Sequence, residues 1–215
     1  MIKSGITQID DFFGGGLRGG FIMDIFGPPA SGKTQLVFQI CANAVMNGSR
    51  ILFEDAKGEF RPERILEILK ANNEDIELLE NINVSRMTNT NEQISHISKI
   101  DHDYSLVIID GITELFSFEY GRTGQSLARS KIFMKYMHQL SDTSISKNIP
   151  IIVTNTIRNM GEKEVENLDM VISPFSHVKV RLSKVDRLTK TELTTINKRL
   201  EFSFVVKEKG ITIES

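Results

Sequence analysis

The sequence predicts a mixed α/β fold: a mostly parallel sheet flanked by helices, with an antiparallel strand extension at its C-terminal edge. Three observations carry that expectation. Short apolar runs alternate with longer amphipathic segments up to about residue 169. A glycine-rich loop joins the first strong strand to the first long helix. Beyond Asp169 the helical pattern stops and period-two alternation takes over.

The elements follow in order. Phe12 and Phe13, beside the glycine run 14–16, place a short N-terminal helix against the sheet. FIMDIF (21–26) reads as a buried strand. A helix follows over 33–47, with Leu36, Val37, Ile40, Ala44 and Val45 at helical spacing and Gly48 just past its end. Cys41 lies on its inner face as a small core residue. ILFED (51–55) is the next strand, and Pro62 opens a helix running to about residue 70. A short strand is expected at 82–85 and a helix near 91–100. SLVIID (105–110) is a third strong strand, and 125–147 carries a long helical pattern with Leu127, Met134 and Met137 as its core. IPIIVTN (149–155) is a fourth, with Pro150 at its start, where a missing N–H does least harm. MVISP, HVKVRLSKV, RLEFSFVVK and ITIES complete the meander.

Composition bounds the function. At 215 residues, 40% hydrophobic and 25% charged, the chain can bury a core and is not disordered. It lacks a run of about 18 apolar residues and a secretory leader, so no membrane span and a cytoplasmic location are expected. One cysteine excludes an intrachain disulfide or a four-cysteine zinc site, and the four histidines lack metal-ligand spacing. Net charge is −2, which excludes a strongly basic nucleic-acid binder at the level of the whole chain. The charge is uneven. Residues 54–80 carry a net −5 and residues 179–209 a net +5. The basic stretch is either a solvated surface or a face for phosphate backbones.

The loop after the first strand reads Gly27, Pro28, Pro29, Ala30, Ser31, Gly32, Lys33, Thr34, a full G-x-x-x-x-G-K-[ST], with Gln35 next. Its glycines let successive N–H groups face one anion at a helix N-terminus. Lys33 reaches the β and γ phosphates and Thr34 offers its hydroxyl to Mg²⁺. A second strand must deliver a carboxylate to the metal's surroundings, and Asp110 at the end of LVIID does so. Gly111 then leaves room for phosphates and water.

GITQIDDFFGGGLRGG, GPPASGKTQ, FRPERI (60–65), LVIIDGITELF, IIVTN and SPFSHVKVRL together resemble the RecA/RadA recombinase superfamily, most of all its short RadB-type archaeal paralogs. The resemblance covers nearly the whole chain. It implies one RecA-like P-loop NTPase core over 1–215, without an N-terminal helical DNA-binding domain, that takes ATP and Mg²⁺. Implied partners are single-stranded DNA, a RadA-type recombinase and further copies of the chain in a homo-oligomer. Arg64 would stack on the adenine; the bland reading pairs it with Glu67 or Glu63. Residues 117–130 fall at the first DNA-binding loop, with Tyr120, Arg122 and Arg129. Residues 156–169 fall at the second, where Arg158 and Lys163 meet Glu162, Glu164, Glu166 and Asp169.

Two positions depart from the family pattern. Lys57 stands where a water-activating Glu is expected, and a protonated lysine takes no proton from water; it neutralises phosphate charge instead. Glu54 or Glu59 would have to substitute as base. Thr156 replaces a phosphate-sensing Gln. The combined reading is an ATP-binding accessory factor in DNA recombination and repair with slow or absent hydrolysis. A KaiC-like regulatory or signalling module and a non-hydrolysing interaction scaffold are the alternatives.

Overall fold

The computed structural model describes residues 1–161 and 163–214. The strands are β1 (Ile22–Gly27), β2 (Ile51–Asp55), β3 (Ile82–Arg86), β4 (Leu106–Asp110), β5 (Ile151–Met160), β6 (Lys163–Glu166), β7 (Val178–Val185), β8 (Leu188–Thr194), β9 (Arg199–Lys207) and β10 (Gly210–Glu214). The helices are α1 (Thr7–Phe12), α2 (Lys33–Met46), α3 (Pro62–Ala71), α4 (Thr90–His96), α5 (Glu114–Glu119), α6 (Ser126–Lys147) and α7 (Asp169–Ile172). One sheet runs β10-β9-β8-β7-β1-β5-β4-β2-β3, with β6 paired to β5. The pairs from β7 to β3 are parallel. Those from β7 to β10 are antiparallel, which is the expected architecture.

The parallel strands are apolar on both faces because both faces are covered. Ile25, Phe53 and Ile108 pack under α2 and α3 with Leu36, Ile40 and Ile65. Leu52, Val107, Ile109 and Val153 pack on the other face against Phe116, Phe133, Tyr136 and Leu140 of α5 and α6. Phe12 and Phe13 rest on the first of these cores, as expected, and Cys41 is buried within it. Local chemistry sets the helix ends. Pro62 occupies the first turn of α3 after an extended Arg61. Asn89 caps α4 by accepting from the Glu92 N–H.

Three expectations change. The chain after Asn155 is a hairpin rather than an open loop, because β5 continues to Met160 and folds back through β6. Glu162 lies outside the described residues, as does Ser215 of the closing ITIES. Residues 117–130 are largely helical, with only the stretch 120–125 between α5 and α6 forming a turn. Of the three residues expected in the core of α6, Met137 is buried but Leu127 and Met134 are exposed. Met134 adjoins the fully buried Phe133, so it lies off the face of α6 that packs inward.

Candidate functional site

The C-terminal ends of four parallel strands meet at one level. Gly27 pairs with Thr156, Asp110 with Thr154, and Asp55 with Asp110. This is where open α/β sheets bind ligands. The loop leaving β1 is shaped by close backbone approach. A Cβ on Gly27 would lie 2.2 Å from the Leu182 carbonyl oxygen of β7, so only glycine fits. Ala30 is left-handed at φ 60, a strained conformation for a residue with a side chain. The loop delivers α2, a 14-residue helix without a side-chain cap, so its first N–H groups remain available. Ser31 is buried, and its hydroxyl has no hydrogen-bond partner among the described residues.

Pro29, Ala30, Ser31, Gly32, Lys33, Thr34 and Gln35 line a cleft of about 680 Å³ together with Lys57, Glu59, Glu114 and Thr156. Cavities of this size hold small-molecule ligands. Lys33 Nζ donates to the Gly27 and Pro28 carbonyls at 2.9 and 2.7 Å. Burial, and next the neighbouring Lys57 ammonium, push the Lys33 pKa down to about 8. Two cations thus face one cavity. Thr34 Oγ1 donates to Asp110 Oδ2 at 3.3 Å, bringing together the expected metal-site pair.

Lys57 itself lies over Asp110. Its Nζ is 3.0 Å from Oδ1, which also accepts from the Thr154 hydroxyl. The Asp55 carboxylate holds the chain that carries Lys57 by accepting from the backbone N–H groups of residues 57–60. The room expected at Gly111 is taken by the Lys57 stem. A Cβ there would stand 2.8 Å from Lys57 Cγ.

The two proposed substitute bases separate. Glu59 lines the cleft. Glu54 does not, because side chains alternate along β2. Asp55 shares the α2 face with Phe53, whereas Glu54 shares the opposite face with Leu52 and lies 3.8 Å from His96 Nδ1. Glu114, at the start of α5, lines the cleft without having been singled out from the sequence. Its only signal was its place four residues after Asp110.

Arg64 does not stand free. Its guanidinium donates to Gln35 Oε1, to Glu67 at 2.7 Å and to the Lys207 and Glu208 carbonyls. It ties α3 to the β9–β10 turn, and the Glu67 pairing is the one the bland reading held.

The three arginines expected to meet DNA are exposed or partly so. Arg122 lies on the 120–125 turn and Arg158 on the β5–β6 hairpin. Arg129, in the first turn of α6, feels Arg158: burial, then that second charge, lowers its pKa. The acids of the hairpin among the described residues are turned to partners. Glu164 pairs with Arg181, while Lys179 pairs with Glu166 and Asp169. Asn155 anchors the hairpin's base, donating to Glu166 Oε1 at 2.6 Å and to the Asn167 carbonyl at 2.9 Å.

This strand order, carrying this loop, has a counterpart among known families. The family model described as Rad51 matches residues 1–211. The chain belongs to the Rad51 family. Within it, this chain is 30% identical over 189 residues to the DNA repair and recombination protein RadB of Thermoplasma volcanium, covering 86% of this chain and 77% of that protein. It is 26% identical over 228 residues to RadB of Thermoplasma acidophilum, covering 99% of this chain and 94% of that one. A crystal structure of the RadB recombinase matches this Rad51-family fold with a TM-score of 0.80, at 25% identity over 98% of each chain. The RadB-type resemblance read from the sequence therefore holds.

Proposed function

We propose that this Rad51-family chain is an ATP-binding accessory protein of DNA recombination and repair, engaging single-stranded DNA or a RadA-type recombinase. The observation that carries nucleotide binding is the convergence of Lys33, Lys57 and the uncapped start of α2 on one cleft. Such a site favours an anion of several charges over a neutral ligand. The relatives it resembles are RadB proteins of DNA repair and recombination, which supports the recombination role.

Nucleotide binding has a direct test. A ligand at about 100 times its dissociation constant adds about 2.7 kcal/mol of stability. For a chain of this size that raises the melting temperature by roughly 5–10 °C. ATP should give such a shift, and Lys33→Ala should remove it. An unchanged melting curve in millimolar ATP rules out this site as a nucleotide site.

DNA contact is supported by Arg122, Arg129 and Arg158 at one end of the molecule, with Glu164 and Glu166 of the hairpin paired to Arg181 and Lys179. Binding of a labelled single strand should weaken with salt, with a slope near −0.7 per phosphate neutralised. Arg122→Ala combined with Arg129→Ala should flatten that slope by about one to two units. Absence of binding at low salt favours the protein partner over DNA.

A further inference from the structure

We propose that the Lys57 ammonium is a tethered cation that takes the place of Mg²⁺ beside the bound phosphates, so that this chain binds ATP with little need for a divalent ion. The inference rests on the nucleotide-binding reading above.

The donors a metal would use are already committed. Asp110 is fully buried, and its two oxygens accept from Thr34, Thr154 and Lys57. Among the described residues no group of three or more His, Cys, Asp and Glu side chains is arranged to hold a metal ion by itself. The phosphate cradle fits a nucleotide. The Thr34–Asp110 pair does not fit a second cation unless Lys57 leaves, because a hydrated Mg²⁺ and an ammonium would then meet at one carboxylate.

Lys57 is also built to stay. It is not a mobile surface lysine. Only 17% of its side chain is exposed, its stem lies on Gly111, and its backbone N–H is fixed by Asp55. Loss of rotamer freedom is therefore already paid for in folding, not in ligand binding. Its side chain lines the cleft together with Lys33. A triphosphate entering the loop would meet Lys33 from the loop side and Lys57 from the Asp110 side. That is the charge compensation a divalent ion would otherwise provide.

The test measures ATP binding by calorimetry at pH 7.5, in millimolar MgCl₂ and again in EDTA without magnesium. The expected result is an affinity that changes by no more than about 3-fold between the two buffers. Lys57→Met should bind about 10-fold or more weakly in EDTA and regain affinity with magnesium, while Lys57→Arg keeps the independence. Circular dichroism melts confirm that each variant is folded. A natural protein whose binding falls about 10-fold or more on chelation overturns the proposal and leaves nucleotide binding standing. So does a folded Lys57→Met indistinguishable from the natural protein in both buffers. No ATP binding by the natural protein in either buffer overturns the nucleotide reading itself, and this proposal with it.

Discussion

Glu54→Gln should stabilise the protein at neutral pH, although most substitutions of buried residues do the reverse. Glu54 is buried on the face of β2 turned away from the cleft, and its Oε1 has no hydrogen-bond partner among the described residues. Burial pushes its pKa up to about 8, against the opposing charge of Lys99. His96 from α4 is close, but burial and then Lys99 lower its own pKa, so it is neutral at pH 7 and brings no charge. The Tyr136 hydroxyl of α6 faces the same group, and burial followed by the Glu54 charge raises its pKa. The sign follows from linkage. The folded state keeps the Glu54 proton up to about pH 8, while the unfolded chain releases it above about 4.5. Stability from the protonated carboxyl is complete below the unfolded value and is lost as pH rises through the folded one. At pH 7 the loss is about 3 kcal/mol, and glutamine, a neutral mimic, avoids it. Urea melts should place the variant above the natural protein at pH 7, with the gap closing toward pH 5. In thermal melts the gain is roughly 6–12 °C. A variant that is less stable at pH 7 shows Glu54 to be ionised and paired with a protonated His96.

Glu54 also marks how far the sequence could be read. The strands were legible because each is a short apolar run between punctuating residues, and the phosphate loop because its spacing and context are specific. In a strand covered on both faces, however, nothing in ILFED says which face points to the loop. Glu54 therefore stood beside Glu59 as a substitute base until the register of β2 against β4 was known. Asp110 was found because its strand needed a charged end. Its contact with Lys57, which was read as a departure from a pattern and as a neutraliser of phosphate charge, was not legible, since it joins residues 53 positions apart. The hairpin after Asn155 was missed for a related reason. Its polar sequence looks like a loop, and what makes it a hairpin is Asn155 and Lys179 gathering Glu166 and Asp169 from across the sheet. Glu164 and Glu166 of the hairpin and Arg181 and Lys179 of the basic C-terminal stretch, read separately in the sequence, partly neutralise each other. Arg64 was undecided between two roles, and contacts with the β9–β10 turn, far away in sequence, bear on that choice.

ATP turnover by this protein should be very slow. The position at which the family resemblance expects a water-activating carboxylate holds Lys57, whose ammonium is bound to Asp110 at 3.0 Å. A cation held there neither accepts a proton from water nor leaves the carboxylate free. Thr156 lines the cleft where a longer amide side chain was expected, so it reaches less far toward a terminal phosphate. General-base catalysis is typically worth about 10²–10⁴-fold, and turnover should lie that far below an enzyme with a positioned base. Steady-state phosphate release, with single-stranded DNA present, measures it. Lys57→Glu restores a carboxylate and frees Asp110 at once, and should raise the rate about 10-fold or more if the remaining groups allow in-line attack. The rise should require magnesium, because the tethered charge is gone. If the natural protein instead turns over at about 1 s⁻¹, within the common range for enzymes, another carboxylate must serve as base. Glu54 is excluded by the face it occupies, which leaves Glu59 and Glu114 on the cleft wall. Glu59→Gln and Glu114→Gln would then separate them: the base loses about 10²-fold or more in kcat, and the other residue, acting only through its charge on Lys33, loses far less.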